Sequence, residues 1–551
     1  MSFIERFFKF DYLSNFIAAF VAFFSIITII YSIGFMRGKK RQFAYYAYII
    51  FTLFASLGVV FANHLIVFII FWGLLGLLLY LLIGFGEKEN TSATAKKTFI
   101  IIGGTDAVML LGIALIWRIS GTFAMDKLSI ILNNKLAVYA YLCLAIGALA
   151  KAGAMPFHTW IPDTAEDAPT PVTAFLPASL DKLLGIYFLA RISLYIFKMD
   201  AAMNTFLMVV GSFTIVAAVM MALIQHDLKR LLGYHAVSQV GYMVLGIGTG
   251  NPIGIAGGLF HMLNHAIYKS CLFFSGGAVE KEAKTTDLDK LGGFAKIMPI
   301  TFISFLVASF AISGIPPFNG FASKWMIYQG IIETAKSGGY LWIVWLVAAM
   351  FGSALTLASF MKLIHAVFLG QPSQSREGKK PKIRETSIFI RIPTIILASL
   401  CIIFGVFAYQ IPLKMFIIPS LGSKVQFLGV WNSSLATLLI VVGILIGAAI
   451  YLLGKVIKTR ETKVFIGGED LAKYPQMRVS GGDFYNTIQE IGFLKIIYKL
   501  AQKKIFDIYN VGSKITFGFN RILRFLHNGV LSTYLSWCLL GMGIIFYILL
   551  K

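Results

Sequence analysis

Apolar runs of about twenty residues recur along nearly the whole of this 551-residue chain, and no other feature narrows its possible folds so far. The segments 12–35, 43–62, 65–85, 99–117, 206–224, 297–315, 388–409 and 435–453 are typical. An α-helix needs roughly 20 apolar residues to cross a bilayer, and that length rule gives about thirteen to fifteen spans. Apolar residues make up 58% of the chain and charged ones 13%, too little polar surface to cover a soluble body of this size. No stretch alternates in the manner of a barrel strand. The expected fold is an all-α polytopic membrane protein of about 14 transmembrane helices.

The formal net charge of +23 raises the question of nucleic acid, but the basic residues sit in short loops between apolar runs. Arg37, Lys39, Lys40 and Arg41, then Lys96 and Lys97, then the cluster from Arg376 to Arg384 read as topology signals that hold loops at the cytoplasmic face and touch anionic lipid. No nucleic-acid partner is expected. Cys143, Cys271, Cys401 and Cys538 all lie in apolar runs without ligand spacing, so neither disulfides nor a metal or iron–sulfur site is indicated. Residues 1–9 are short and amphipathic and do not read as a cleavable signal.

Several ionisable residues fall inside these runs, where each costs about 2.5–3.5 kcal/mol at the bilayer centre and so requires a reason. Asp106 interrupts 98–117, Lys151 interrupts 137–155, and Lys362 with His365 interrupts the run ending at Leu369. Burial disfavours the charged form of a lysine and a nearby carboxylate favours it, so the two together make a switchable proton site. The densest group is His261, His265 and Lys269 within 253–274. A spacing of four puts all three on one helical face, a ladder climbing about 12 Å at 1.5 Å per residue. Three aligned titratable groups in one span outline a proton relay. Singly, each would serve as well as a hydrogen bond to a neighbouring helix or a lysine reaching for the interface.

Prolines add a second signal. Pro156, Pro162, Pro169, Pro171 and Pro177 forbid a continuous helix through 150–180, and Pro316 with Pro317 interrupts 313–324, just before Lys324. A helix broken at membrane depth is tolerated where its freed backbone is buried in protein or lines a wet cavity. Lys151 would stand beside the first break, and two interrupted spans in separate halves suggest an internal repeat. Asp227, Lys229 and Arg230 flank a helix start, where a capped, dipole-matched terminus and a role in an ion path weigh equally. His158, His226 and His235 read as loop or helix-end groups, with His235 able to extend a polar axis inward; His64 and His527 read as structural. Beyond residue 458 a polar, glycine-containing stretch leads into 484–529. There Leu494, Ile497, Leu500, Ile505, Ile508, Ile515, Phe519, Ile522 and Leu526 oppose Lys495, Lys499, Lys503, Lys514 and Arg521. That is a basic amphipathic helix of the interface, about 70 Å long if unbroken, with Gly512 and Gly518 as expected kinks. The segment 531–550 then spans once more.

Five motifs carry a family likeness: HTWIPD (158–163) with APTPVTA (168–174), DLKRLLGYHAVSQVGY (227–242), FHMLNHAIYKSCLF (260–273), GIPPFNGFASK (314–324) and RFLHNGVLSTYLSW (524–537). They resemble the antiporter-like proton-pumping subunits of respiratory complex I, a family that includes membrane subunits of energy-converting hydrogenases and of multisubunit cation/proton antiporters. The C-terminal arm makes the chain most similar to the distal complex I subunit, chain five, and PASLDKLLGIYFLAR (177–191) to the large hydrogenase membrane subunit. The resemblance implies two inverted repeats containing broken helices, a lateral amphipathic helix and a final anchor span. It divides the chain into 1–42, an N-terminal span and basic loop; 43–230 and 231–387, two half-channel repeats; 388–458, additional spans; 459–530, linker and lateral helix; and 531–551, the anchor.

The resemblance also implies ion translocation, of protons or sodium, through Asp106, Lys151, Asp227, Lys229, His261, His265, Lys269 and Lys362. Lys362 is taken to lie on the second broken helix, and Asp227 with Lys229 to form a charged pair at a helix start. Two departures stand out. The family pairs a Trp with a Glu where this chain reads FWGLLG (71–76), leaving Gly73 in place of the acid, and Pro177 replaces a His. Either Asp106 or Asp181 substitutes for the missing carboxylate, or a partner subunit provides it, or that half no longer conducts. No cofactor is implied in this chain; iron–sulfur clusters and a flavin or NiFe centre belong to partner subunits. The implied partners are antiporter-like neighbours braced by the lateral helix, a peripheral redox arm and the lipid bilayer of a prokaryotic cell membrane. Rival readings are the membrane half of an inorganic-carbon uptake system, a stand-alone cation/proton antiporter, and a structural anchor with a dead channel.

Overall fold

The computed structural model describes residues 6–370, 383–427, 433–453, 481–482 and 484–550. Most of the basic cluster expected at 376–384 and of the polar stretch from 458 lies outside the described residues. The chain forms two compact units, Met1–Glu490 and Ile491–Lys551.

The first unit is a helical bundle. Its elements are α1 (Tyr12–Phe35), α2 (Gln42–Phe61), α3 (Leu65–Ile83), α4 (Thr91–Ser120), α5 (Lys135–Ala152), the short α6 (Trp160–Asp167) and α7 (Thr170–Ile196). Then follow α8 (Ala201–Leu223), α9 (Leu228–Gly248), α10 (Pro252–Ala283), α11 (Pro299–Ser313), α12 (Asn319–Glu333), α13 (Leu341–Leu369), α14 (Ile388–Val406) and α15 (Ser433–Leu453). Among the described residues ten helices are long and apolar enough to cross a membrane. The figure falls below the sequence expectation for a physical reason. Helices α9 and α10 carry buried lysine, histidine and amide groups that lower their apolar character, while α11 and α12 are the two short pieces of one interrupted span.

The order of elements repeats. Three helices (α2, α3, α4), an interrupted pair (α5, α6) and a long helix (α7) are followed by three helices (α8, α9, α10), a second interrupted pair (α11, α12) and a second long helix (α13). The seam therefore falls at 197–200. A boundary at 230/231 would cut through α9, which Asp227 starts by accepting the Arg230 backbone N–H at 2.9 Å. The two breaks themselves, at 153–159 and 314–318, contain Pro156 and the pair Pro316 and Pro317, as the sequence implies. Pro162 and Pro171 break nothing: they stand in the first turns of α6 and α7, where the missing N–H has no intrahelical partner to lose. Pro177 lies within a π turn, Leu176–Leu180, that widens α7 without ending it. Where α7 crosses α5, Gly185 lets the backbones meet; a Cβ there would stand 2.6 Å from the Ala152 nitrogen.

In the second unit the amphipathic arm is not one rod of 46 residues. Asn486–Glu490, in the first unit, is a short helix of its own, and the second unit carries two, α16 (Gly492–Gln502) and α17 (Ile508–Leu526), separated by a turn in which Lys504 takes a positive φ of 55° and Asp507 accepts the Tyr509 N–H at 3.0 Å. Gly512 and Gly518 lie inside α17 and interrupt nothing. A final helix, α18 (Leu531–Leu549), is long and apolar enough to span.

Candidate ion path

Charges gather where the two breaks face the helices around them. Lys151, 1% exposed, stands in the last turn of α5, immediately before Gly153 takes a left-handed φ of 82°. The carbonyls at a helix end lack intrahelical partners, and the Ala150 carbonyl is satisfied here by the Trp160 indole N–H at 3.2 Å. The Lys151 ammonium lies 4.6 Å from the Trp72 ring centroid and donates to the Trp72 carbonyl at 3.4 Å. The same indole donates to Asp106 Oδ1 at 2.9 Å. Trp72 is thus gripped by the amine on one side and the carboxylate on the other, and the charges of Asp106 and Asp181 both act on Lys151.

Gly73, by contrast, faces outward, and a Cβ there would meet no atom within 4 Å. The carboxylates that act on Lys151 within this chain stand on two other helices, α4 and α7.

Asp181 and Lys182 open the regular part of α7 after its π turn, both fully buried. Neither Asp181 Oδ2 nor Lys182 Nζ has a hydrogen-bond partner among the described residues. The charge of Lys182 acts on His265 and Lys269 of α10, so this dyad joins the Lys151 site to the second half. Sequence reasoning named Asp181 only as a substitute acid and did not single out Lys182. The available signal was two adjacent opposite charges within the otherwise apolar 177–191.

In the second half His261, His265 and Lys269 are fully buried on one helix, as their spacing predicts. His261 Nδ1 meets Ser323 Oγ at 2.9 Å, its Nε2 meets Gln239 Oε1 at 3.1 Å, and the Tyr268 hydroxyl stands 3.3 Å from Nε2. Lys269 Nζ lies between the Phe273 and Phe360 rings at 5.7 and 5.8 Å, with no hydrogen-bond partner among the described residues. His235, buried within α9 rather than at a helix end, is bonded to Ser359 Oγ at 2.7 Å and lies within the field of both Lys269 and Lys324. Lys324 is the group that stands on the second broken span. Its amine satisfies the freed Ile312 carbonyl at 2.8 Å, across the break, and lies 4.8 Å from the Tyr242 ring.

Lys362 is not on that span. It belongs to α13, where it closes the end of α8 by donating to the Leu223 and Gln225 carbonyls, both at 2.9 Å. Nor do Asp227 and Lys229 pair with each other. Asp227 caps α9 and accepts from Thr286, and burial pushes its carboxyl above the usual range. Lys229 pairs with Glu280 at 2.9 Å, a partner that sequence reasoning missed because it lies a full helix away. Beside them Asp163 and Glu166 of α6 hold Lys97 at 2.8 Å and Arg230 at 3.3 and 2.7 Å. His226, half-exposed, lies 3.5 Å from Asp289.

The family described as NADH:quinone oxidoreductase/Mrp antiporter, TM, matches residues 62–356, more than half of the chain and the whole of both breaks. The chain belongs to this family. It is 34% identical over 405 residues to the A1 subunit of the Na(+)/H(+) antiporter of Staphylococcus epidermidis, a match covering 69% of this chain and 50% of that protein. It is 33% identical over 402 residues to the Na(+)/H(+) antiporter A-type polypeptide of Bacillus subtilis, covering 69% and 49%. The chain thus spans about half the length of the curated relatives it matches. Among solved structures it resembles the Mrp complex of Dietzia sp. with a TM-score of 0.67 at 22% identity, over 75% of this chain and 86% of that one. It resembles an archaeal respiratory complex, the membrane-bound sulfane sulfur reductase, with a TM-score of 0.78 at 24% identity, over 98% and 89%. These likenesses fix the fold. Together with ten apolar helices they make the chain a multi-pass protein of a prokaryotic membrane.

Proposed function

We propose that this chain translocates protons or sodium ions as one membrane subunit of a larger complex of the respiratory, complex I-like kind. The observation that carries the reading is the succession of titratable groups, half-buried at Asp106 and buried from Lys151 on, each in the field of another: Asp106, Lys151, Asp181, Lys182, His265, Lys269, His235, His261 and Lys324. Burying an amine without a hydrogen-bonding partner is costly, so groups such as Lys182 and Lys269 persist in a bundle of this kind where they meet water or one another in turn. Each proton that arrives changes the field on the next amine, and in a medium of low dielectric that effect reaches across several ångströms. Redox centres such as iron–sulfur clusters with a flavin or NiFe site, in partner subunits of a peripheral arm, would supply the driving reaction.

The repeat fits this use. Counting each interrupted pair as one crossing, α2 to α7 make five crossings and α8 to α13 five more, about 14 spans in all with α1, α14, α15 and α18. An odd number inverts the second repeat with respect to the first. The face bearing Arg37, Lys39, Lys40, Arg41, Lys88, Lys96 and Lys97 is then cytoplasmic. The lateral arm would brace antiporter-like neighbours.

A second reading, one component of a cation/proton antiporter without redox partners, is favoured by the names of the sequence relatives. Identifying the subunits that co-purify with the chain separates the two. The function itself is tested with Lys269→Ala: loss of pH-dye quenching in vesicles holding the intact complex, with assembly spared, is the expected result. Undiminished quenching would refute translocation through this axis.

A further inference from the structure

The first turns of α7 pack along α10, in a seam that runs from the basic face down to the Asp181–Lys182 dyad. Glu280, near the end of α10, keeps its side chain 23% exposed while that of its partner Lys229 is 3% exposed. The carboxylate accepts from the Thr170 hydroxyl at 2.5 Å and from Lys229 Nζ at 2.9 Å, and Lys229 also donates to the Ala168 carbonyl at 3.1 Å. The start of α7, carried by the first repeat, is thereby tied to α9 and α10 of the second.

Next along the seam the helices press together at Gly277, where a Cβ would stand 2.4 Å from Thr170 Cγ2. Thr173 follows, fully buried, and its hydroxyl has no hydrogen-bond partner among the described residues. The Ala174 carbonyl, left over by the π turn, accepts from Ser270 Oγ of α10 at 3.2 Å and from Ser179 Oγ at 2.9 Å. Asp181 comes eleven positions after Thr170. It stands just past the π turn, on the stretch of α7 that also packs against α10. A buried hydroxyl without a partner costs stability, and a hydroxyl can both donate and accept.

We propose that Glu280 takes up protons from the basic face and passes them along the α7–α10 seam, by way of Thr170 and Thr173, to Asp181. The Glu280 carboxylate accepts a proton from solvent and releases Lys229. Its protonated carboxyl then donates toward Thr170 instead of accepting. With water bridging the gaps, each hydroxyl hands on one proton as it receives another, so that Asp181 ends protonated and Glu280 returns to the carboxylate paired with Lys229.

This inference rests on the translocation reading above, and the two fail differently. The decisive variant is Thr173→Val, which keeps the side-chain shape and deletes only the unpartnered hydroxyl. Flux measured by pH-dye quenching in vesicles holding the intact complex should fall about tenfold, while the thermal midpoint of the complex stays level or rises. Glu280→Gln should lower flux similarly; should it fail to assemble, Glu280→Asp, which keeps an ionisable group, should restore assembly and part of the flux. Full flux in Thr173→Val, with Lys269→Ala inactive beside it, would overturn the seam and leave the function standing. A loss of flux matched by a fall in thermal midpoint would make Thr173 a packing residue and overturn the seam as well.

Discussion

The two halves of the bundle share an order of helices but surround their lysines differently. In the first half Lys151 lies between Asp106 and Asp181, with an indole against its amine. In the second half no carboxylate among the described residues acts on Lys269 or Lys324, and the neighbouring charge that does act on Lys269 is another lysine, Lys182. Opposite charge favours the ammonium form and like charge disfavours it. The two lysines therefore stand in fields of opposite sign. With Gly73 where the resembling family has an acid, Lys151 still has two carboxylates near it, on α4 and α7.

If the two lysine sites are steps of one route, the halves work in series. Lys151→Ala should then stop pH-dye quenching as fully as Lys269→Ala does, the largest effect expected here. A variant that retained about half the flux would show two routes in parallel, and the contrast between the halves would lose its mechanistic meaning. Assembly, followed by co-purification of the partner subunits, should survive in Lys151→Ala, because removing the amine leaves Asp106 still bonded to Trp72.

A smaller effect is expected from each acid alone. Asp106→Asn keeps the bond to the Trp72 indole through its amide oxygen and removes only the charge, and should slow flux about tenfold or less, because Asp181 still faces Lys151. Asp181→Asn should do the same. Substituting both should cost far more than the product of the single effects, since Lys151 then has no counter-charge left. Simple additivity in that double-mutant cycle would mean that the two acids do not share the lysine.

Much of this was legible in the sequence and some of it was not, for reasons that are physical. Spans, breaks and the His261, His265, Lys269 ladder follow from local rules: the length of apolar runs, the effect of proline and the spacing of four on a helix. Lys151 beside its break was equally plain. What failed was whatever depends on which helix packs on which. Lys362 looked like a member of the axis because it interrupts an apolar run, yet it closes the end of α8; Lys324, noted only as the lysine after the second proline break, stands on the broken span itself. Asp227 and Lys229, two residues apart, point to different partners, Thr286 and Glu280. In the amphipathic arm the glycines drew attention, but the chain turns at Lys503–Asp507, where a single capping aspartate restarts the helix. Periodicity reads one helix at a time; pairing across helices leaves no mark in a single sequence.

The smallest expected effect tests whether the outward position of Gly73 is as idle as its surroundings make it. A methyl group at this position of α3 meets no atom of the chain within 4 Å, and alanine is favoured over glycine in a helix interior by about 0.5–1 kcal/mol. Gly73→Ala should therefore leave flux unchanged and raise the thermal midpoint of the purified complex slightly. A fall in flux would be the more instructive result. A methyl that touches nothing within its own chain can slow transport only by meeting something outside it. Such a loss would place a neighbouring polypeptide on this face, in position to bring its own carboxylate to Lys151, and the two acids of the first half would then be three.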